Sequence, residues 1–301
     1  MSRFVFAFAL LIGLSSCSKP VYLFTSFHEP ATEGLRLLYS HDGYHWTDLN
    51  RTYLKPEIGT QKVMRDPSVA QGKDGTFHLV WTSSWKGDKG FGYASSNDLI
   101  HWTQQQFIPV MEHEPTTVNV WAPELFYDDE ADQFVLIWAS TIPNRFERGI
   151  EEETNNHRMY YTITKDFQTF APTKLFLDPK FSVIDAVIVK RKPADYVLVL
   201  KDNTRPERNI KVAFGHSAIG PYTNVSAPFT KKFTEGPSVA NVGKDWLIYF
   251  DSYQDKKYGA VKTQDFKTFT DVSAQTSVPE GHKHGTIFKV KKRVLTGLLK
   301  E

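Results

Sequence analysis

A single cysteine, Cys17, stands in 301 residues, so no intrachain disulfide can hold the chain together and its fold has to rest on packing. An excess of either charge is also missing. With 36 Lys and Arg against 34 Asp and Glu the formal net charge is +2, which leaves no basic footprint for nucleic acid. No block of like charge exceeds a few residues; Glu151-Glu152-Glu153 and Lys289 to Arg293 read as solvated loop and tail. Low-complexity linkers are lacking, so nothing marks a boundary between two domains. The longest apolar run, Phe4 to Leu14, is too short to anchor the chain as a spanning helix.

That run does have the form of a signal-peptide core behind Met1-Ser2-Arg3. It ends in Leu14-Ser15-Ser16-Cys17, which resembles a bacterial lipoprotein signal. The resemblance implies removal of residues 1–16, acylation of Cys17, and a short tether over residues 17–20. Acyl chains at ~0.8 kcal/mol per buried methylene would hold the protein on a membrane durably. Ser18 follows Cys17 where an Asp would signal retention, so the expected location is the cell envelope at the outer membrane.

Hydrophobic residues make up 41% of the chain and aromatics 14%, enough for a full core. Five segments open β-runs with an acid or a histidine: Arg65-Asp66-Pro67, Ala122-Pro123-Glu124, Ile184-Asp185-Ala186, Glu235-Gly236-Pro237 and His284-Gly285-Thr286. From Asp66 to Glu124, Asp185, Glu235 and His284 the steps are 58, 61, 50 and 49 residues, a period that marks repeats. Each of the first four openers leads through a polar turn to an apolar run, such as Phe134 to Trp138, and then to a third strand. Units close on a turn and an aromatic, as in Ser96-Asn97-Asp98-Leu99-Ile100-His101-Trp102. Four strands per unit is the make-up of a propeller blade. The N-terminal part, from Val21, has later strands and no opener, while His284 to Val290 is an opener with nothing after it. The expected fold is therefore an all-β, five-bladed β-propeller over residues 21–301, its fifth blade closed by strands from both termini. Trp46 and Trp102 end units in a repeated pattern and read as blade packing.

First strands line a propeller's axis, so Asp66, Glu124, Asp185, Glu235 and His284 are expected to converge. Clustered carboxylates raise one another's proton affinity and are found mainly where the shifted values are used. The ordered set Arg65-Asp66-Pro67, Trp121-Ala122-Pro123-Glu124, Ile184-Asp185, Glu235-Gly236-Pro237 and His284-Gly285 resembles glycoside hydrolase family 43 across nearly all of the mature chain. That resemblance implies an inverting, exo-acting enzyme that removes arabinofuranose, xylose or galactose from polysaccharide side chains. It makes Asp66 the general base, Glu235 the general acid, and Asp185 the carboxylate that orients the acid and modulates its pKa. Glu124 is either a substrate contact or structural. By the same resemblance, His284 either sits under the substrate, where it would hold a central Ca²⁺ or other ion, or is a core histidine. No cofactor is otherwise required, and a monomer is expected. A non-catalytic glycan-binding lipoprotein is the alternative, disfavoured because binding needs no clustered acids.

Loops after the second strands should form the rim. They hold Trp85, Lys201, Asp202, Arg205 and Tyr253, expected with Arg65, Asn119 and Trp121 to contact sugar. The stretch from Thr141 to His157 is long enough to be a pocket wall or lid.

Overall fold

The second strand of each repeat is apolar almost without interruption because both of its faces are buried. A computed structural model describes residues 21–300. In the strand Gln133–Ser140, Val135 and Ile137 pack with Leu198 and Leu200 of the following unit, while Leu136 and Trp138 pack with Val80 and Phe91 of the preceding one. Side chains alternate across a strand, so an uninterrupted apolar run serves two interfaces at once. The same alternation recurs around the ring and gives five apolar clusters, one at each junction between adjacent sheets. Trp81 and Trp138 are fully buried there; truncating either to alanine is worth about 3–5 kcal/mol of stability.

The five sheets are the five expected blades. Blades one to four begin with Arg65–Gln71, Trp121–Asp128, Val183–Lys192 and Thr234–Val242. In blade five the C-terminal strand Ile287–Val290 is innermost and pairs antiparallel with Val21–His28, joining Val21 to Val290 and Phe24 to Ile287. Leu35–Ser40 and Thr47–Leu54 complete that blade. Closure covers the apolar blade faces that a linear array would leave exposed. Helix Lys292–Leu298 then places Leu295 and Leu298 in the cluster between blades five and one.

One blade falls short of four strands. Blade three has only Val183–Lys192, Asp195–Asp202 and Asn209–Gly215, and its outer position is reduced to a bridge between Phe214 and Thr223. Pro221 and Pro228 fall in the segment that would form the outer strand and remove donors from it. Trp46 lies in the cluster between blades five and four, and Trp102 packs against that between five and one, as blade packing requires. The turns before them are built by an Asp: Asp42 Oδ1 accepts from the backbone of Tyr44 and His45, and Asp98 Oδ1 from Ile100 and His101. Cys17 and the signal segment lie outside the described residues. Among the described residues no helix is long and apolar enough to cross a membrane.

Candidate active site

A β-bulge at the start of four first strands positions the axial side chains. Pairing with the second strand skips between Arg65 and Ser68, Trp121 and Glu124, Ile184 and Val187, and Glu235 and Ser238. In each bulge one residue has positive φ: Asp66 (51°), Ala122 (45°), Asp185 (49°) and Gly236 (57°). Bulges re-aim side chains, and left-handed backbone at a non-glycine residue is a cost that collects at functional sites. The bulges also correct the expected equivalence of the acids. Asp66 and Asp185 match one another, but Ala122 holds that place in blade two. Glu235 sits one position earlier, matching Arg65. Glu124 sits two later, matching Ser68, and so lies a layer deeper on the axis.

At the upper layer, Asp66 is held by two partners. His284 Nε2 is 3.0 Å from Oδ1, and the Thr82 hydroxyl donates to Oδ2 at 2.7 Å. Burial pushes the Asp66 carboxyl up, but the hydrogen bond and charge of His284, the Arg65 charge and the Thr82 hydroxyl outweigh it and leave it below the ordinary value. For His284, burial acts downward and the surrounding Asp66, Asp185 and Glu235 win, bringing the imidazole up to about 9. It is an imidazolium at neutral pH.

Glu235 is half-buried and salt-bridged to Lys201, whose Nζ is 2.8 Å from Oε2. Burial again pushes the carboxyl up, and the charges of Lys201 and His284 with the Lys201 hydrogen bond pull it below its usual range. Asp185 differs. Its Oδ2 accepts from the Gly236 backbone at 3.1 Å, and burial, with the like charges of Glu235 and Asp66, raises its carboxyl despite His284 and Lys201. Gly236 is required twice over: besides its φ, a Cβ there would fall 1.9 Å from His284 Cγ.

Below these groups is an axial cavity of about 30 Å³, lined by Asp66, Asp185, Glu124, His284, Ser68 and Thr286, space for one or two waters. Glu124 Oε2 accepts from Ser68 Oγ at 2.7 Å and Thr286 Oγ1 at 3.2 Å. Burial raises this carboxyl to about 7, the two hydroxyls offsetting only part. Glu124 therefore ties blades five, one and two at the floor of the cavity.

The rim is a packed wall. Arg65 lies 4.6 Å from the Trp85 ring centre and 5.1 Å from that of Phe27, and forms an ion pair with Glu29. Trp85 packs against Trp121 with tilted rings, 4.7 Å between centres, and Trp121 stacks on His157 at 4.9 Å. Trp85 keeps 46% exposure, whereas Trp121 is half-buried. Tyr253 lies beneath the Lys201 ammonium, 5.4 Å from ring centre to Nζ. Asn119 is buried, and its amide braces the backbone at Ala139 and Thr141; it is a strut in place of the expected sugar contact. Asp202 is likewise buried and spent on Thr204 N and Lys211 Nζ. Arg205 faces Glu151 and Glu152 of the 141–157 segment. With Glu151 also holding Asn155 and the Arg205 backbone, that segment is a pinned wall.

Thr82, Asp251, Lys283 and His157 have no individual role among the residues expected from sequence. Register supplies the missing signal for two of them: Thr82, Lys201 and Asp251 hold the same place on second strands, opposite Arg65, Ile184 and Glu235. Among the described residues Glu235, Asp251 and His284 form a trio whose ligand atoms converge within 4.8 Å. They fit a cation poorly, because Lys201 and Lys283 already occupy the two carboxylates.

Comparison with known proteins bears on the fold and the family. A segment of the chain is 27% identical over 104 residues to an α-L-arabinofuranosidase of Bifidobacterium longum subsp. longum, a match spanning 32% of this chain and only 10% of that protein. The fold is similar to an endo-1,4-β-xylanase of Bacteroides thetaiotaomicron (TM-score 0.62, 14% identity, 88% of this chain and 93% of that one). It is also similar to an endo-arabinase of the same organism (TM-score 0.61, 14% identity, 82% and 93%). An α-L-arabinofuranosidase from Lactobacillus brevis has TM-score 0.54 at 16% identity, over 70% of this chain and 72% of that one. The family model described as a probable glycosyl hydrolase domain, related to glycoside hydrolase family 43, matches residues 19–295. Nearly the whole described chain lies within that match, and the protein belongs to this glycosyl hydrolase family.

Proposed function

We propose that the protein is an inverting, exo-acting glycoside hydrolase that removes terminal α-L-arabinofuranose from plant polysaccharide or glycan side chains. The observation that carries this reading is the convergence of Asp66, Asp185 and Glu235 around His284 with three different sets of neighbours. Glycoside hydrolysis needs one carboxyl protonated and another ionised at the same pH. Asp66, held ionised by His284 and Thr82, suits the base that takes a proton from water. Glu235, reaching in from blade four, suits the acid that protonates the leaving oxygen, with Asp185 beside it as the group that shares and tunes its proton.

The pinned 141–157 segment and the Arg65–Trp85–Trp121 wall support a pocket that admits a chain end. Arabinofuranose is favoured over xylose and galactose by the named activity of the Bifidobacterium relative. Hydrolysis of aryl α-L-arabinofuranoside, β-xyloside and β-galactoside side by side tests the choice; turnover of only the second or third replaces the sugar, and turnover of none removes the exo-glycosidase reading. The enzyme is further proposed to act as a monomer on the cell envelope through an acylated Cys17. Mass spectrometry of membrane-extracted protein should find that thiol lipidated, and an unmodified Cys17 would refute the anchor.

A further inference from the structure

Lys201 is buried in the wall of the pocket, 3% exposed, at the end of the second strand of blade three. Its register partner is Ile184, which precedes Asp185, yet its ammonium crosses to the next blade and contacts Glu235 Oε2 at 2.8 Å. The other charged or titratable groups facing Glu235 are Asp185 from blade three, Arg65 and Asp66 from blade one, Asp251 and Tyr258 from its own blade, and His284 from the closing blade. Two of these are cations committed elsewhere, Arg65 to Glu29 and His284 to Asp66. Lys201 is thus the cation bonded to Glu235, while Asp185 accepts one backbone hydrogen bond and has no cation in contact among the described residues.

A carboxylate bonded to a buried ammonium keeps its charge, and a buried carboxyl without such a partner keeps its proton. The hydrogen bonding therefore favours the proton on Asp185, the wrong acid for leaving-group protonation. We propose that Lys201 is a positioning residue that holds Glu235 as carboxylate until a sugar hydroxyl takes over the ammonium, the proton for the leaving oxygen waiting meanwhile on Asp185. The inference rests on the glycosidase reading above. On binding, the Asp185 proton passes to Glu235, leaving Asp185 ionised. Glu235 then gives that proton to the leaving oxygen as the glycosidic bond breaks. The water attacking the anomeric carbon loses its proton to Asp66. The raised Asp185 and lowered Glu235 carboxyls agree with this order.

The test is carboxyl titration by carbon-13 NMR of Asp- and Glu-labelled protein, with no substrate present, together with the pH profile of kcat/KM. Near neutral pH the wild type should show a protonated carboxyl that Asp185→Asn abolishes and Glu235→Gln leaves. In Lys201→Met the protonated carboxyl should become one that Glu235→Gln abolishes. Removing the ammonium raises the proton affinity of the pair, so the basic limb of kcat/KM should move up by about 1–3 pH units, and Lys201→Arg should keep it in place. A wild-type proton already on Glu235 would overturn the inference, as would a Lys201→Met enzyme whose KM rises while its pH limbs stay put. The wild-type and Asp185→Asn titrations decide the matter even where Lys201→Met does not fold. They need no turnover, so an absence of glycosidase activity would count against the functional reading alone.

Discussion

His284 Nε2 and Asp66 Oδ1 stand 3.0 Å apart, although one residue comes from the closing strand of the ring and the other from its first complete blade. The carboxylate proposed to activate water is thus oriented by the part of the chain that closes the ring. His284 also packs edge-on to Phe27, whose strand comes from the N-terminal end, so three segments distant in sequence meet at the base. The orientation of Asp66 therefore depends on the ring being closed.

Asp66→Asn and Glu235→Gln should each leave folding intact and lower turnover by about 10²–10⁴-fold or more, since each keeps shape and removes a proton-transfer group. Substrates with strongly acidic leaving groups should restore much of the Glu235→Gln rate and none of the Asp66→Asn rate. Steady-state kinetics with a series of aryl glycosides checks this, and equal restoration of both would reverse or dissolve the two assignments.

Asp66 enters from blade one and Glu235 from blade four, with the closing blade and its His284 between them. A separation of ~6.5–9.5 Å, which leaves room for water, belongs to inverting enzymes, whereas ~5–5.5 Å belongs to retaining ones. Proton NMR of early hydrolysis should show a first product of opposite anomeric configuration; retained configuration, or a glycosyl ester on Asp66, would make that residue a nucleophile.

The blade count, the closure by both termini and the two bulge acids Asp66 and Asp185 were legible because strand alternation and repeat spacing are properties of the chain itself. The place of Glu124 was not, because the eye aligns acids while the backbone aligns bulges. Pro67, Pro123 and Pro237 hold one equivalent place in their bulges, and aligning those prolines would have put Ala122 opposite Asp66 and Glu124 opposite Ser68. The partner of Lys201 could not be read either, since which blade a long side chain reaches is decided by packing across the junction. For Asn119 and Asp202, position near the rim was readable and burial was not.

Glu124 should make stability fall as pH rises. Its carboxyl is raised to about 7 in the fold from an unfolded value of about 4.3, so the stabilisation is complete below the unfolded value and lost as pH climbs through about 7. The loss is on the order of 3 kcal/mol for a shift of this size. Urea unfolding at pH 5 and pH 8 should show a drop in the wild type that Glu124→Gln removes; parallel curves for the two proteins would mean that Glu124 stays ionised at the floor.

Gly236→Ala should be far costlier than Gly243→Ala, although both glycines have positive φ. At Gly236 the new methyl meets the His284 ring at 1.9 Å, and at Gly243 it meets nothing within 4 Å. Strain alone is worth about 1–2 kcal/mol at either place, and at Gly236 overpacking adds about 1–3 kcal/mol. Thermal unfolding together with turnover checks this: the first variant should lose both stability and activity, the second only a little stability. Equal losses would show that His284 yields freely.

The pairing of Val21 with Val290 determines how the molecule can be displayed. The innermost strand runs away from His284, so Val290 and the neighbouring Val21 lie about 20 Å from the catalytic groups, six residues at ~3.3 Å each. Anything joined ahead of Val21 therefore leaves from the underside of the disc. A surface holding the protein by that end would look at its back, and the pocket would open toward whatever polymer drifts in from the other side.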